Sequence, residues 1–425
     1  MCLKSGRQRK AVELADIFSK HADAYIASHG VSSIQHKAIN AISHCRTAVL
    51  GGHVLCCDHC GALEISYNSC RYRHCPKCQK TKQLRWLEAR KSELLPVPYF
   101  HVVFTVPHEL NPLASYNPSL IYNLLFKAAW ATVNTLGQDE KRLNGQMGMF
   151  AFLHTWSQTI NQHIHLHCMI PAGALCDEDG NTKWRASKLG YLFPVKVMSK
   201  LFGKLFLTQL TQTFEANEFQ FKGSIAELAK KQNFIKFKAQ LYKKTWNVYA
   251  KEPFNGAQGG MEYLARYFTK TAIGNERLIS CDEQQVTFKW RDSSDNNHTK
   301  VMKLDAHEFI RRYLLHILPY GFMRARYFGF LANAVKAKNI SLIRSFFPEN
   351  EPHETSHMDT SLEQESMNYI EVIEKVGGSE SAAELMKRIL GIDINRCKQC
   401  NIGRLEKIQF IRPNESFTPT PFDTS

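Results

Sequence analysis

The chain has no apolar run approaching the ~18 residues that a transmembrane helix requires, which excludes a membrane-spanning class. Its first ten residues, MCLKSGRQRK, are basic and lack the apolar stretch of a secretory signal, so a reducing cytoplasm is the expected compartment. No internal repeat and no long low-complexity tract is present, which argues against a solenoid or a fibrous chain. Acidic residues are scarce: 39 Asp and Glu stand against 54 Lys and Arg, a net charge of +15. Such an excess suits a polyanionic partner, nucleic acid first and a membrane surface second. What the chain does have is cysteine. Thirteen cysteines without an export signal point to thiolate–metal chemistry rather than to disulfides. With 425 residues and 44% hydrophobic content, the chain can bury a core in two or three domains.

The pattern divides the chain at 1–96, 97–347, 348–367 and 368–425. The first part combines a polar-faced helix over 12–30 with seven cysteines crowded into 45–78. The second alternates β-type runs, HVVFTV, HIHLHCMI and QVTFKW (285–290) paired with TKVMKL (299–304), with helical runs such as LIYNLLFKAAWATVNTL, VKVMSKLFGKLFLTQLTQTF and HEFIRRYLLHIL. The third is an acidic, polar linker. The fourth carries a short helix near 380–390, a Cys397-x-x-Cys400 pair and a tail expected to be disordered. The expected fold class is α+β.

Cys57-x-x-Cys60 and Cys75-x-x-Cys78 read as two knuckles. A two-residue spacer lets both thiolates of a knuckle reach one ion, and two knuckles close a tetrahedron around structural Zn²⁺ in a small ribbon-like module. Cys45, His53, Cys56, Cys70 and His74 lie close enough in sequence to leave the ligand set and the number of ions open. Cys397 and Cys400 form half a site, either free or completed by another segment. Around the second knuckle Arg71, Arg73, Lys77, Lys80, Lys82 and Arg85, beside Tyr72 and Trp86, make a basic patch with stacking aromatics. That composition suits a DNA backbone better than a merely solvated face.

His163, His165 and His167 alternate with Ile164, Leu166 and Cys168. On a strand the imidazoles share one side and the apolar residues the other, so one face joins a core while the other offers nitrogen ligands. Downstream, GGMEYLARYFTKTAIGN (259–275) is helix-compatible, with Tyr263 and Tyr267 on one face and Arg266 and Lys270 in the same stretch. Two tyrosines so spaced are ordinarily packing residues. Beside a metal strand and a basic module, they become candidate nucleophiles, because a divalent cation on a phosphodiester makes a phenol with a pKa near ~10 usable.

Taken together, CRTAVLGGH (45–53), YNSCRYRHCPKC, VPYFHVVFTVPHELNPL, LHTWSQTINQHIHLHCMIPAG, EYLARYFTKTAIGNERL and FIRRYLLHILPYGFMRARYFGFLAN (309–333) run in the order of a known family. The chain resembles the rolling-circle insertion-sequence transposases of the HUH two-tyrosine type with an N-terminal zinc-binding domain, over most of residues 45–335. The resemblance implies an RRM-like antiparallel-sheet nuclease domain behind the zinc module. It implies His165 and His167 as ligands of Mg²⁺ or Mn²⁺, with Gln158 favoured over His154 and His163 as the third. It also implies single-stranded DNA as substrate, cut at the element's ends through a 5′-phosphotyrosine on Tyr263 or Tyr267. Ile164 stands where the family usually carries Pro, a change that suits a strand. Arg311, Arg312, Arg324 and Arg326 are candidate phosphate contacts or salt-bridge partners. The alternatives are an HUH replication initiator or relaxase, a zinc-dependent DNA-binding regulator without catalysis, and a metal hydrolase using water.

Overall fold

Period-two runs become strands and 3.6-period runs become helices in the computed structural model, which describes residues 11–188, 190–251, 253, 270–347 and 381–415. The strands are β1 (Gly52–Cys57), β2 (Leu63–Tyr67), β3 (Tyr99–Thr105), β4 (Gly148–Trp156), β5 (Gln162–Pro171), β6 (Gly173–Glu178), β7 (Asn181–Ala186), β8 (Val248–Ala250), β9 (Leu278–Cys281), β10 (Gln285–Asp292), β11 (His298–Asp305), β12 (Ala325–Gly329) and β13 (Leu405–Ile411). They belong to two compact bodies, Met1–Lys37 with Arg90–Pro348, and Ala38–Ala89 with Glu349–Ser425.

The larger body is built on a five-stranded antiparallel sheet in the order β12-β4-β5-β3-β8. Along the chain, β3 leads through helix Pro118–Gln138 to β4, β4 turns directly into β5, and β5 leads through the separate β6–β7 hairpin and helices Val195–Glu215 and Lys231–Tyr242 to β8. With that hairpin set aside, the sequence of elements is strand, helix, strand, strand, helix, strand, with β12 added at the β4 edge. Alternation sends Val102 and Phe104 of β3, Ala151 and Leu153 of β4, and Ile164, Leu166 and Cys168 of β5 to one side. There they pack with Leu125, Phe126, Phe202 and Phe206 of the two helices. Burying each Phe is worth about 1.5–3 kcal/mol, which makes this face the main stabiliser of the body. Pro118 at the first turn starts its helix at no hydrogen-bond cost. Buried Asn117 is satisfied by donating to the Leu113 and Gln220 carbonyls and accepting from the Gln220 amide.

The β9–β11 sheet and helix Ala306–Leu314 form an annexe of this body. Asp305 caps the helix by accepting from the amides of His307 and Glu308. The expected β10–β11 hairpin is present, with Gln285 facing Asp305 and Asp292 facing His298. Helix Leu14–His29 belongs to this body, whereas the division at 96 groups it with the cysteine module. Its apolar stripe, Leu14, Ile17, Phe18 and Tyr25, is buried, with Phe18 edge-on to Tyr313 and His21 Nε2 donating to the Asp282 carbonyl.

The smaller body is a three-stranded sheet, β13-β1-β2, whose two edge strands come from distant parts of the chain. The expectation of a separate C-terminal segment is corrected accordingly: residues 381–415 join the cysteine-rich residues in one body. Helix Ala382–Leu390 buries Leu385 and Ile389 on Leu84. The acidic stretch 348–367 and the tail lie outside the described residues. No helix among the described residues is long and apolar enough to cross a membrane.

Candidate metal centres and nucleophile segment

The side of the sheet away from the main core carries the histidines. On β5, His165 faces His154 of β4 on one flank and Thr105 of β3 on the other; His167 faces Phe152 and Val103. His154, His165 and His167 are all buried, and their nearest ring nitrogens lie within 4.8 Å of one another. The Nε2 atoms of His165 and His167 are 3.2 Å apart. His165 donates from Nδ1 to the carbonyl of His163 at 2.8 Å, which leaves Nε2 as its lone-pair atom. His101, on the same face of β3, stacks on His167 with Nε2 2.9 Å from His167 Nδ1. For His167 Nε2 to offer its lone pair, Nδ1 carries the proton and donates to His101, an outer partner that orients the ring.

Burial is the main reason these imidazoles stay neutral. It brings His165 down to about 3 and His101 to about 4, and holds His167 well below the usual histidine range. Neutral rings are what a metal needs as ligands. Three imidazoles, with no fourth His, Cys, Asp or Glu beside them among the described residues, would leave positions open for a substrate oxygen. Nitrogen donors of this kind suit Mn²⁺ better than Mg²⁺, which prefers oxygen ligands.

Gln158 is not beside the pair. It sits exposed on the β4–β5 turn, its carbonyl engaged by Arg277, and His154 completes the set instead. The physical reason is the strand pairing: the register puts His154 directly across from His165, whereas Gln158 lies beyond the end of β4. His163 shares the face but is exposed at the start of β5.

The segment with Tyr263, Arg266 and Tyr267 lies outside the described residues. Both of its flanks are described. On one side Lys251 donates its amide to the His101 carbonyl at 3.0 Å, and its charge adds to the depression of His101. On the other, the carbonyl of Lys270 accepts from Arg324 at 3.1 Å. Arg324 also binds the Leu153 carbonyl and lies 5.3 Å from the centre of the Trp156 ring. After burial and the neighbouring histidines, the charges of Arg324 and Lys270 further lower His167.

The cysteines of the smaller body form two sets, not the single expected one. Cys75 and Cys78 join Cys45 and Cys70; Cys57 and Cys60 join Cys397 and Cys400. Sequence proximity had suggested joining the two knuckles, but β1 instead runs Cys57 alongside Leu405, next to the C-terminal pair. The sulfur separations are 3.5 Å for Cys45–Cys78, 3.6 Å for Cys70–Cys78, and 3.7 Å for both Cys57–Cys400 and Cys60–Cys397. A tetrahedron with Zn–S near ~2.3 Å has edges of about 3.8 Å, so both sets have zinc-site dimensions. In the first set hydrogen bonds from Cys70 and Cys75 bring Cys45 down to about 7, and contacts with the other sulfurs hold Cys78 far below an ordinary thiol. The amides of Gly403 and Ile402 bring Cys400 down to about 6.

Of the basic patch, Arg71 is exposed in a left-handed turn and Arg85 is exposed on helix Gln79–Lys91, whereas Arg73 is half-buried and lowered by that burial. Lys77 is half-buried, its carbonyl accepting from Arg46. The side chains of Lys80 and Lys82 lie outside the description. Arg311 and Arg312 both pair with Glu308 at 2.6 Å, and Arg326 lies over the Phe126 ring at 4.3 Å, so these three brace the fold. The sequence reading missed His101, although its period-two place in HVVFTV carries the same signal as the β5 histidines.

Comparison with known proteins adds the following. The family described as "Putative transposase" matches residues 148–339, and that described as "Transposase zinc-binding domain" matches residues 17–106. The chain is 43% identical over 345 residues to "Putative transposase y4qJ" of Sinorhizobium fredii (strain NBRC 101917 / NGR234), covering 81% of this chain and 86% of that protein. It is 28% identical over 312 residues to "Transposase for insertion sequence element IS801" of Pseudomonas savastanoi pv. phaseolicola, covering 72% of each. No solved structure matches it.

Proposed function

The chain belongs to the insertion-sequence transposases that carry a transposase zinc-binding domain, and from that premise we propose that it cuts and rejoins single-stranded DNA at its element's ends by tyrosine transesterification, in rolling-circle fashion. One observation carries this reading. The described residues on either side of the stretch that holds Tyr263 and Tyr267 both lie by the histidine set: Lys251 bonds to His101 and Lys270 to Arg324, and the charges of Lys270 and Arg324 reach His167. The order of the sheet, β8-β3-β5-β4 joined as strand, helix, strand, strand, helix, strand, supports an RRM-like nuclease domain of the HUH type.

His154, His165 and His167 would hold a divalent cation, Mn²⁺ by preference, and the ion when bound supplies Lewis-acid stabilisation of the scissile phosphate. His101 and the His163 carbonyl keep the ligand nitrogens aimed at one point. The phenol oxygen of Tyr263 or Tyr267 attacks phosphorus and gives up its proton. The bond from phosphorus to the 3′ oxygen breaks, and that oxygen takes a proton to become a free 3′-hydroxyl. The 5′-phosphotyrosine conserves the bond energy, so a 3′-hydroxyl can attack it and release the tyrosine without ATP. A second tyrosine permits two such exchanges in alternation. Lys270 and Arg324 contribute positive charge at the rim where a phosphate would lie. Cys45, Cys70, Cys75 and Cys78 would hold Zn²⁺ with all four positions filled by thiolates, and the ion would keep the basic residues of the smaller body on a rigid support.

The test uses 3′-labelled single-stranded oligonucleotides spanning the element ends, incubated with purified protein and Mn²⁺, then resolved on a denaturing protein gel. A labelled band at protein mass, absent with EDTA and in the Y263F/Y267F variant, is expected. Cleavage without an adduct would establish a water-using hydrolase instead. Binding with neither cleavage nor adduct would leave a DNA-binding regulator.

A further inference from the structure

We infer that Cys57, Cys60, Cys397 and Cys400 form a second zinc centre, split across the chain, that acts as a clasp fastening residues 381–415 to the cysteine-rich N-terminal residues. Cys397 and Cys400 lie well outside the matched zinc-binding segment, residues 17–106. The assignment therefore rests on the geometry of this chain.

The two halves of the centre are conformational twins. Each is a Cys-x-x-Cys turn followed at once by a left-handed residue, Gly61 at φ 70° and Asn401 at φ 55°. In each, the amide of that residue donates to the carbonyl of the first cysteine at 3.0 Å: Gly61 to Cys57, Asn401 to Cys397. Glycine and asparagine are the residues that accept this backbone region most readily. The sulfurs meet pairwise across the halves at 3.7 Å, Cys57 with Cys400 and Cys60 with Cys397. That is too long for a disulfide and close to the edge of a four-thiolate tetrahedron.

The surroundings are built to hold this arrangement. The Gly403 amide donates to Cys400 Sγ at 3.3 Å. A Cβ at Gly403 would stand 2.5 Å from Cys57 Sγ and 2.5 Å from Asp58 Oδ1, so only glycine lets the C-terminal turn close on the first knuckle. Asp58 Oδ1 accepts from the Arg404 amide at 2.7 Å, and Lys398 pairs with Glu64 at 3.0 Å.

Residues 381–415 also need such a fastening. Leu385, Ile389, Cys397 and Ile411 are their buried apolar residues, while Ile392, Ile394, Ile402, Ile408 and Phe410 are exposed. So small a segment, with its large side chains in water, cannot fold on its own burial and needs a cross-link of some kind. Four thiolates around one ion supply it.

The full chain, purified without added chelator, should contain two zinc ions by elemental analysis, and C397S/C400S should contain one. A single ion in the parent, two in the variant, or iron in place of zinc would overturn the assignment. A second measurement on the parent protein alone does not depend on the variant folding. Iodoacetamide followed by peptide mapping should find Cys57, Cys60, Cys397 and Cys400 protected together when zinc is present and alkylated together after chelation. Alkylation of Cys397 and Cys400 in zinc-replete protein with Cys57 and Cys60 still protected would equally refute it. Trypsin should release the 381–415 segment from chelated but not from zinc-loaded protein.

Discussion

The cysteine sets and the histidine set gather ligands in opposite ways. Each cysteine set takes all four donors from turns and strand ends and closes on itself, leaving nothing for a substrate. The histidine set takes its donors from within two paired strands, numbers three among the described residues, and has oriented neighbours, His101 and the His163 carbonyl. The first arrangement makes metal part of the fold. The second makes the fold, already secured by the apolar side of the sheet, a platform for metal. Removing a ligand should therefore have different consequences in the two regions.

The largest effect is expected from Cys75→Ser. Structural zinc in a small module contributes about 10–16 kcal/mol of folding free energy, so this variant should lose zinc and the protease resistance of the smaller body together. Proteolysis coupled to metal analysis checks it. His165→Ala should instead leave thermal stability and DNA binding close to the parent while reducing Mn²⁺-dependent cleavage by roughly 10³-fold, the worth of several kcal/mol of Lewis-acid stabilisation. If His165→Ala melted the protein as Cys75→Ser does, the distinction between the regions would collapse.

Acid sharpens the contrast within the larger body. His316 is fully enclosed, donating from Nε2 to the Ile160 carbonyl at 3.0 Å with Nδ1 3.2 Å from Thr155 Oγ1, and burial brings it down from 6.5 to about 4. A folded-state value below the unfolded one means the unfolded chain takes up the proton first. The associated stability is complete above pH 6.5 and is lost as pH falls toward 4, by about 3 kcal/mol. Chemical denaturation across that interval, compared with His316→Gln, measures it. Identical pH profiles for the parent and the variant would show the ring to titrate in the fold as it does in the unfolded chain.

Smaller still is His101→Ala, expected to weaken Mn²⁺ binding about 10–100-fold by freeing the His167 ring, with titration calorimetry as the readout. Gln158→Ala should change neither metal affinity nor stability beyond about 0.5 kcal/mol. A large loss there would return Gln158 to the ligand set.

What could be read from the sequence followed the range of the interaction. HIHLHCMI and HVVFTV declare their strands by alternation, the helices at 118–138 and 195–215 declare theirs by period, and QVTFKW with TKVMKL declares a hairpin, because each signal is local. Which cysteines share an ion depends on pairing between strands far apart in the chain, and no spacing within 45–78 reveals that Cys57 belongs with Cys400. The third histidine was ambiguous for a related reason. Gln158 is the nearer of the two to His165 in sequence, and only the register of β4 on β5 shows that His154 is the one beside it.

The pairing of β1 with β13 has a consequence for how the protein is made. Translation at ~5–20 residues per second puts Cys57 and Cys397 roughly 15–70 s apart at the ribosome exit. Throughout that interval the first knuckle exists as a nascent half-site, exposed to stray metal and oxidants, while the larger body is synthesised. A message cut short anywhere after the histidine strand would yield a chain whose leading strand never meets its partner, so an unfinished enzyme would be marked at its front end by a ribbon left open.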